Sequence, residues 1–270
     1  MQSFFGGPLP PYLSFRMLSR IVKKLKQTSR IEEYAAVLQA AIDNHYAVVS
    51  LRDWYQHYRN SDSKVFILRH DVDYDTEGAY AFFRVERQLG VRSTSYFRWS
   101  SMDDTIMREM NDNGFEVSLH FETLASYAKQ HRIFDKEAID ERVIAVCQQN
   151  LSEEIELFEK KYWKIDTICS HGDKRNRVLG LPNHIIWDDV LKKKHRILCE
   201  TYEESVTKCF DAYISDSSVY SSFEWQHFGS PIQALEEGRR TICLLTHPIH
   251  WNQSFLKNIK MMSKAYVDNL

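Results

Sequence analysis

From residue 64 onward, short apolar runs alternate with longer stretches whose apolar residues recur at helical spacing. Residues 65–68 (Val-Phe-Ile-Leu) read as a buried strand, followed by a helix through residues 77–89. Residues 93–97 predict a second strand and 104–110 a second helix; residues 115–119 predict a third strand, leading into His120. A long helix is predicted over 136–160, then a strand over 165–169 that runs into Ser170-His171-Gly172. Residues 186–193 read as helix, 210–214 and 241–245 as strands, and a last helix lies near the C-terminus. Strands alternating with helices in this way imply parallel pairing through crossover connections. Five or more strands in about 190 residues favour an α/β fold built as a distorted, incomplete (β/α) barrel over a compact open sheet.

The chain before residue 64 has a different texture. Residues 1–14 are rich in Gly and Pro and read as an arm. Residues 15–43 carry an amphipathic pattern through Ile21, Leu25, Ile31, Tyr34, Val37, Leu38 and Ile42, and Val48-Val49-Ser50-Leu51 is either a short strand or a docking turn. The expected organisation is an N-terminal arm and helical segment over residues 1–60, packed on a barrel of residues 61–270. No repeat or Gly/Ser linker divides the rest.

Composition narrows the function classes. A formal net charge of −2 argues against a nucleic-acid partner, which selects for a basic patch. The basic clusters Lys23-Lys24-Leu25-Lys26 and Lys192-Lys193-Lys194 read as solvated helix faces. Five scattered cysteines without a CxxC pair fit reduced thiols. The N-terminus makes a poor signal peptide, and no apolar run reaches the roughly eighteen residues of a membrane span, so a cytoplasmic protein is expected. The sequons Asn150-Leu-Ser152 and Asn252-Gln-Ser254 are then chance matches. No GxGxxG or Walker loop supports nucleotide binding.

The candidate chemistry sits at strand ends, where parallel α/β folds collect their functional groups. The first predicted strand runs into Arg69-His70-Asp71-Val72-Asp73, and later ones into His120, His171, Asp216 and His247. Two carboxylates one residue apart raise each other's cost of ionisation, which a cation or a division of labour relieves. Histidine nitrogens and carboxylate oxygens suit zinc and related divalent ions. Without an HExxH or CxxC motif, such ligands must come from separate strands.

These stretches, Asp71-Val-Asp73, Gly114-Phe-Glu-Val-Ser-Leu-His120, Ser170-His171-Gly172, Ser215-Asp216-Ser217 and Leu244-Leu-Thr-His247-Pro248, resemble the ordered motifs of polysaccharide deacetylases of the NodB-homology, carbohydrate esterase family 4 type. The likeness is greatest to a divergent branch with an Arg-His-Asp-Val-Asp motif, associated with surface-polysaccharide biosynthesis. The resemblance covers about residues 64–250 and implies the same incomplete barrel. It also implies a hydrolase that removes an N-acetyl or other short acyl group from a sugar or glycoconjugate precursor. Carried over, it makes Asp71 the general base, Asp73 a metal ligand, His247 the general acid and Asp216 an acidic residue tuning a catalytic partner. His120 matches the first histidine of a His-x-x-x-His metal motif, but the second falls on Leu124. His171 is the preferred replacement, with Glu122 and His250 as the other candidates. The implied cofactor is a divalent ion, zinc first, with cobalt, nickel or manganese as alternatives.

Two flanking residues and a set of aromatics complete the expectations. His70 should point away from Asp71 and be structural, and Arg69 should pair with Asp71 or another rim carboxylate. Tyr74, Phe97, Trp99, Phe121 and Trp251 are candidates for a sugar platform or for packing. Hydrolysis of another carbon–nitrogen bond (a deformylase or cyclic amidase), or a degenerate sugar- or partner-binding domain, are the competing functions. The oligomeric state stays open.

Overall fold

The computed structural model describes residues 22, 25–216 and 225–267; the arm expected over residues 1–14, Ile21 and Ser217 lie outside the described residues. Among the described residues eight strands form one sheet: β1 (Ala47–Val49), β2 (Val65–Val72), β3 (Thr94–Phe97), β4 (Glu116–Phe121), β5 (Thr167–Ser170), β6 (Cys199–Glu200), β7 (Ala212–Ser215) and β8 (Thr241–Thr246). Seven follow the order β6-β5-β4-β3-β2-β8-β7, and every strand pairing is parallel. β8 pairs with one edge of β2. The other edge is shared, by β1 along residues 65–67 and by β3 along residues 69–72. Among the described residues no ladder joins β6 to β7, so the sheet curls into a distorted, incomplete (β/α) barrel.

Strand parity sorts the core. Val65 and Ile67 of β2 pack with Tyr96, Cys169, Cys199 and Cys243, which come from four other strands and can meet only on the concave side. Phe66 and Leu68 face outward, against helix α1 (Ile31–Asp43), which contributes Tyr34, Val37 and Leu38, and α2 (Thr76–Leu89), which contributes Phe82. A second outward cluster joins Val117, Leu119 and Phe121 of β4 to helices α3 (Asp104–Asp112), α4 (Thr123–Gln130) and α5 (Glu141–Lys161). Three short helices follow, α6 (Lys174–Leu179), α7 (Asp189–His195) and α8 (Pro231–Glu236), and then the longer α9 (Phe255–Val267).

The largest departure from expectation is the length of β2. It continues four residues past the apolar run, through Arg69-His70-Asp71-Val72, with all eight positions buried. The polar residues do not end the strand because each finds a partner. On the concave side Arg69 Nε and Nη2 donate to Asp71 Oδ1 and Oδ2 at 2.9 and 2.8 Å. On the outer side His70 Nδ1 lies 2.7 Å from Thr246 Oγ1 and Nε2 lies 2.8 Å from Glu86 Oε1. The structural role expected of His70 is what the fold displays. Helix α5 starts at Glu141 rather than near residue 136, because Asp140 Oδ1 accepts from Val143 N at 2.9 Å and caps it there. The helix expected over 186–193 is shifted to α7, whose start Asp188 caps through Leu191 N at 2.8 Å.

Glu86 is fully buried and ties three elements together. Tyr34 Oη of α1 donates to Oε1 at 2.5 Å, and Ser93 Oγ, just before β3, donates to Oε2 at 2.6 Å. Burial opposes its charge, but His70 and these donors outweigh it and hold its carboxyl below the usual range. Glu86→Ala strands three buried donors, an expected cost of about 3–5 kcal/mol. In thermal denaturation this lowers Tm by roughly 10 °C; an unchanged Tm would remove Glu86 as a keystone.

Candidate metal centre

The carboxyl ends of β2, β4 and β5 bring Asp73, His120 and His171 together. Asp73 leaves β2 in a tight turn, because Asp75 two residues later caps α2 by accepting from Gly78 N at 2.9 Å. Gly78 is needed there, since a Cβ would come within 2.9 Å of Pro248 Cβ in the loop after β8. That close approach sets the His247 loop beside the Asp73 turn.

Asp73 Oδ1 is buried and receives no hydrogen bond. His120 Nε2 and His171 Nε2 each stand 3.4 Å from it. Ligand atoms about 2.1 Å from a tetrahedral centre lie about 3.4 Å apart, so the spacing fits a shared divalent ion. An orphaned carboxylate oxygen between two histidine nitrogens, with no proton geometry joining them, is the donor set such an ion satisfies.

Each histidine is oriented by its second nitrogen. His120 Nδ1 donates to the Cys169 carbonyl at 3.2 Å, which leaves the Nε2 lone pair toward Asp73. His171 Nδ1 faces Glu122 Oε2 at 3.3 Å, off the line of a hydrogen bond. Arg98 grips Glu122 with Nη2 at 2.9 and 2.8 Å from its two oxygens. Burial works against ionisation of Glu122, yet His171 and Arg98 bring its pKa down to about 2. Glu122 is therefore a carboxylate behind His171, where a metal-bound histidine would have its outer partner. The other alternative, His250, falls in with Asp216 and His247 rather than with Asp73.

Leu124, where the expected motif would have carried its second histidine, is fully buried in the core cluster beside Leu119 and Phe121. Its side chain belongs to the packing of α4 on β4, so the centre has its third side chain from β5 instead.

Asp71 lies alongside. Its Oδ2 is 3.6 Å from His120 Nε2, and Arg69 holds both of its oxygens. Burial raises the cost of its charge, but Arg69 and His120 outweigh that and keep the carboxyl below the usual range. Arg69 is itself held by Tyr202 Oη at 2.9 Å and lies over that ring at 4.6 Å. Each carboxylate oxygen carries two lone pairs, so the bidentate pair leaves one position on each oxygen of Asp71 for a further proton donor.

His247 follows β8 and pairs with Asp216, which follows β7. Its Nδ1 is 2.6 Å from Asp216 Oδ1, and Asp216 Oδ2 also accepts from His247 N at 2.8 Å and Trp251 Nε1 at 2.7 Å. Burial disfavours the imidazolium, but Asp216, with Asp73 and Asp71 farther off, raises the His247 pKa to about 9. Asp216, His247 and His250 form a further group whose ligand atoms lie close enough to hold a metal ion, although Asp216 already accepts from His247 and Trp251.

Beside His171 opens a cavity of about 300 Å³ whose lining includes Asn176, Arg177, His184 and Tyr202. Three of the five aromatics considered for a sugar platform are excluded from that role. Phe97 and Phe121 are fully buried on the outward face, and Trp251 is buried as the donor to Asp216. Strand parity is the reason, since alternate residues of β3 and β4 turn away from the concave side. Tyr74 lies under Arg98 at 5.1 Å, and Trp99 donates to Glu154 at 3.1 Å.

Arg98, Tyr202 and the Cys169 carbonyl were not anticipated. Arg98 had a signal, because it directly follows β3 as His171 directly follows β5. The carbonyl had none.

Among the described residues no helix is long and apolar enough to cross a membrane. Buried Asp, His and Cys groups in this α/β barrel can hold a metal ion. The chain matches no protein-family model and no curated protein.

Proposed function

We propose that this chain is a metal-dependent hydrolase that removes an N-acetyl or other short acyl group from a sugar, in the manner of polysaccharide deacetylases. The observation that carries the proposal is the orphaned Asp73 Oδ1, with His120 and His171 nitrogens each 3.4 Å away. Asp73, His120 and His171 hold the divalent ion, with zinc favoured by a small two-histidine, one-carboxylate set. Once bound, such an ion supplies Lewis-acid polarisation of the amide carbonyl and a lowered pKa for the attacking water.

The chain's own groups do the rest. Asp71, steered by Arg69, takes the proton from water as its oxygen bonds to the carbonyl carbon. His247 gives its proton to the sugar nitrogen as the carbon–nitrogen bond breaks, so that a neutral amine leaves and a short carboxylic acid is formed. Asp216 holds Nδ1 of His247, which leaves Nε2 as the donor. A His247 pKa of about 9 keeps that proton in place at neutral pH. The cavity beside His171 is of a size for one sugar ring, at the small end of ligand sites.

Acetate release from a panel of N-acetyl sugars, by protein loaded with zinc, cobalt, nickel or manganese, tests this reading. Formate release or ring opening from other amides would redirect it to another carbon–nitrogen bond. No turnover and no stoichiometric metal would sink it.

The pH profile offers a separate check. Above about pH 9 His247 is deprotonated and cannot act as an acid, so kcat falls on the alkaline side there. Asp216→Asn removes the charge that raises His247, and the limb should move down by one to two pH units, toward the ordinary histidine value of about 6.5. A limb that stays put in Asp216→Asn would exclude His247 as its origin.

A further inference from the structure

The cavity beside His171 holds donors that the metal centre does not use. Two side-chain amides brace its wall, which runs from the end of β5 through α6. Asn183 is buried and fully engaged. Its Oδ1 accepts from Ala125 N at 2.9 Å, and its Nδ2 donates to the His171 carbonyl at 2.5 Å and to Asn176 Oδ1 at 2.9 Å. Asn176 Oδ1 also accepts from Asp173 N at 3.1 Å. Both contacts come from donors, so that atom is the amide oxygen and the other is the NH2 group. Asn176 is 7% exposed and lines the cavity, yet among the described residues its Nδ2 meets no acceptor. A buried NH2 group calls for an acceptor, and the cavity is where one can enter.

Charge selects the kind of acceptor. Glu122, His171 and Asp173 bring ligand atoms within 4.8 Å of one another, but both carboxylates are already paired. Arg98 holds Glu122, while Lys129 Nζ lies 2.6 Å from Asp173 Oδ2 and Arg175 N donates to Oδ1 at 2.6 Å. Arg177, the residue after Asn176, lines the same cavity and forms no ion pair among the described residues. Burial holds His184 below the usual histidine range, so its ring stays uncharged at neutral pH. That ring stacks on Tyr202 with centroids 5.7 Å apart, and Tyr202 is fixed by Arg69 Nη2 at 2.9 Å. The two rings make an aromatic wall against which a sugar ring packs.

We propose that this cavity is a subsite for an oxyanion, a carboxylate or phosphate carried by the sugar substrate, with Asn176 Nδ2 and the Arg177 guanidinium as its donors. A neutral hydroxyl would satisfy Asn176 alone. An oxyanion engages both, and its bonds are charge-assisted and stronger. The sugar in this assignment rests on the hydrolase reading, whereas the anion does not, so binding is measured apart from turnover.

Calorimetric titration of the full chain with N-acetylglucosamine, its phosphate monoester and its uronic acid reads the preference. At least one charged probe should bind ten-fold or more tighter than the neutral one, and whichever does identifies the anion. The margin should shrink with added salt. Arg177→Gln, at an exposed residue, should leave Tm unchanged and cut the margin about ten-fold. Asn176→Asp keeps the accepting oxygen but replaces both free donors by a second oxygen, and should cut it at least as far. Equal affinity for charged and neutral probes would overturn the proposal. So would a margin that survives both substitutions, as binding of the anion to the metal alone would give. A charge preference that obeys these expectations without acyl release would keep the subsite and remove the hydrolase. Acyl release from the neutral probe with no charge preference would do the reverse.

Discussion

His171→Ala should empty the metal centre. Among the described residues His120 and His171 bring the two histidine nitrogens that face Asp73 Oδ1, and Leu124 is sealed in the core. Loss of an outer partner of a ligand costs about 10–100-fold in metal affinity, and loss of the ligand itself should exceed that. Metal content after dialysis therefore ranks three proteins: wild type near one equivalent, Glu122→Gln weakened, His171→Ala bare. Full occupancy in His171→Ala would transfer the ligand role to Glu122, which lies 3.3 Å from His171 Nδ1 and has the oxygen to spare. Metal and protons compete for the histidine nitrogens, so occupancy of the wild type should also fall as pH falls. His120 should lead that loss: despite burial, Cys169, Asp71 and Asp73 hold its pKa well above the usual histidine range.

Asp71→Asn should abolish turnover and leave the metal bound. Asparagine keeps the shape but cannot take the water's proton, and loss of a general base lowers kcat by about 10²–10⁴-fold. Asp71 also neutralises a buried arginine, so the single variant exposes Arg69 to a second penalty. Arg69 is 2% exposed, and leaving such a charge unpaired costs about 3–5 kcal/mol of stability. A double variant separates the two roles. Arg69→Met with Asp71→Asn removes the stranded charge, so Tm should recover while turnover does not. Recovery of both would reduce Asp71 to a structural partner of Arg69. Substantial activity in the single variant, with metal in place, would assign the base elsewhere.

Much of this arrangement was legible in the residues before any fold was known. Alternating apolar runs and helical stretches placed six of the eight strands within a few residues. β1 was foreseen only as a strand or a docking turn, and β6, two residues long, was not foreseen at all. The short helices α4, α6 and α8 were also missed, being six to eight residues long and too brief to show a period of their own. At the strand ends, the polar residues Asp71, Asp73, His120, His171, Asp216 and His247 stood out because parallel barrels gather such groups at one rim. Glu122 and His250 were less well resolved, since they follow the ends of β4 and β8 by one and four residues and their direction depends on the turns there.

The order of strands and the residue types at their ends belong to the sequence alone, because hydrophobic periodicity and polar punctuation are local properties of the chain. Which of those ends converge, and at what distance, is decided only by the curl of the sheet. Asp73, His120 and His171 are far apart in sequence, and only the register β2-β3-β4-β5 brings the two histidine nitrogens to 3.4 Å from Asp73 Oδ1. The same register explains why β2 runs on through polar residues, for Arg69 and His70 find partners on opposite faces of the sheet. It also explains why Phe121 faces the core while its neighbour His120 faces the centre. Partnership across a sheet is a long-range fact, and a chain states it only once folded.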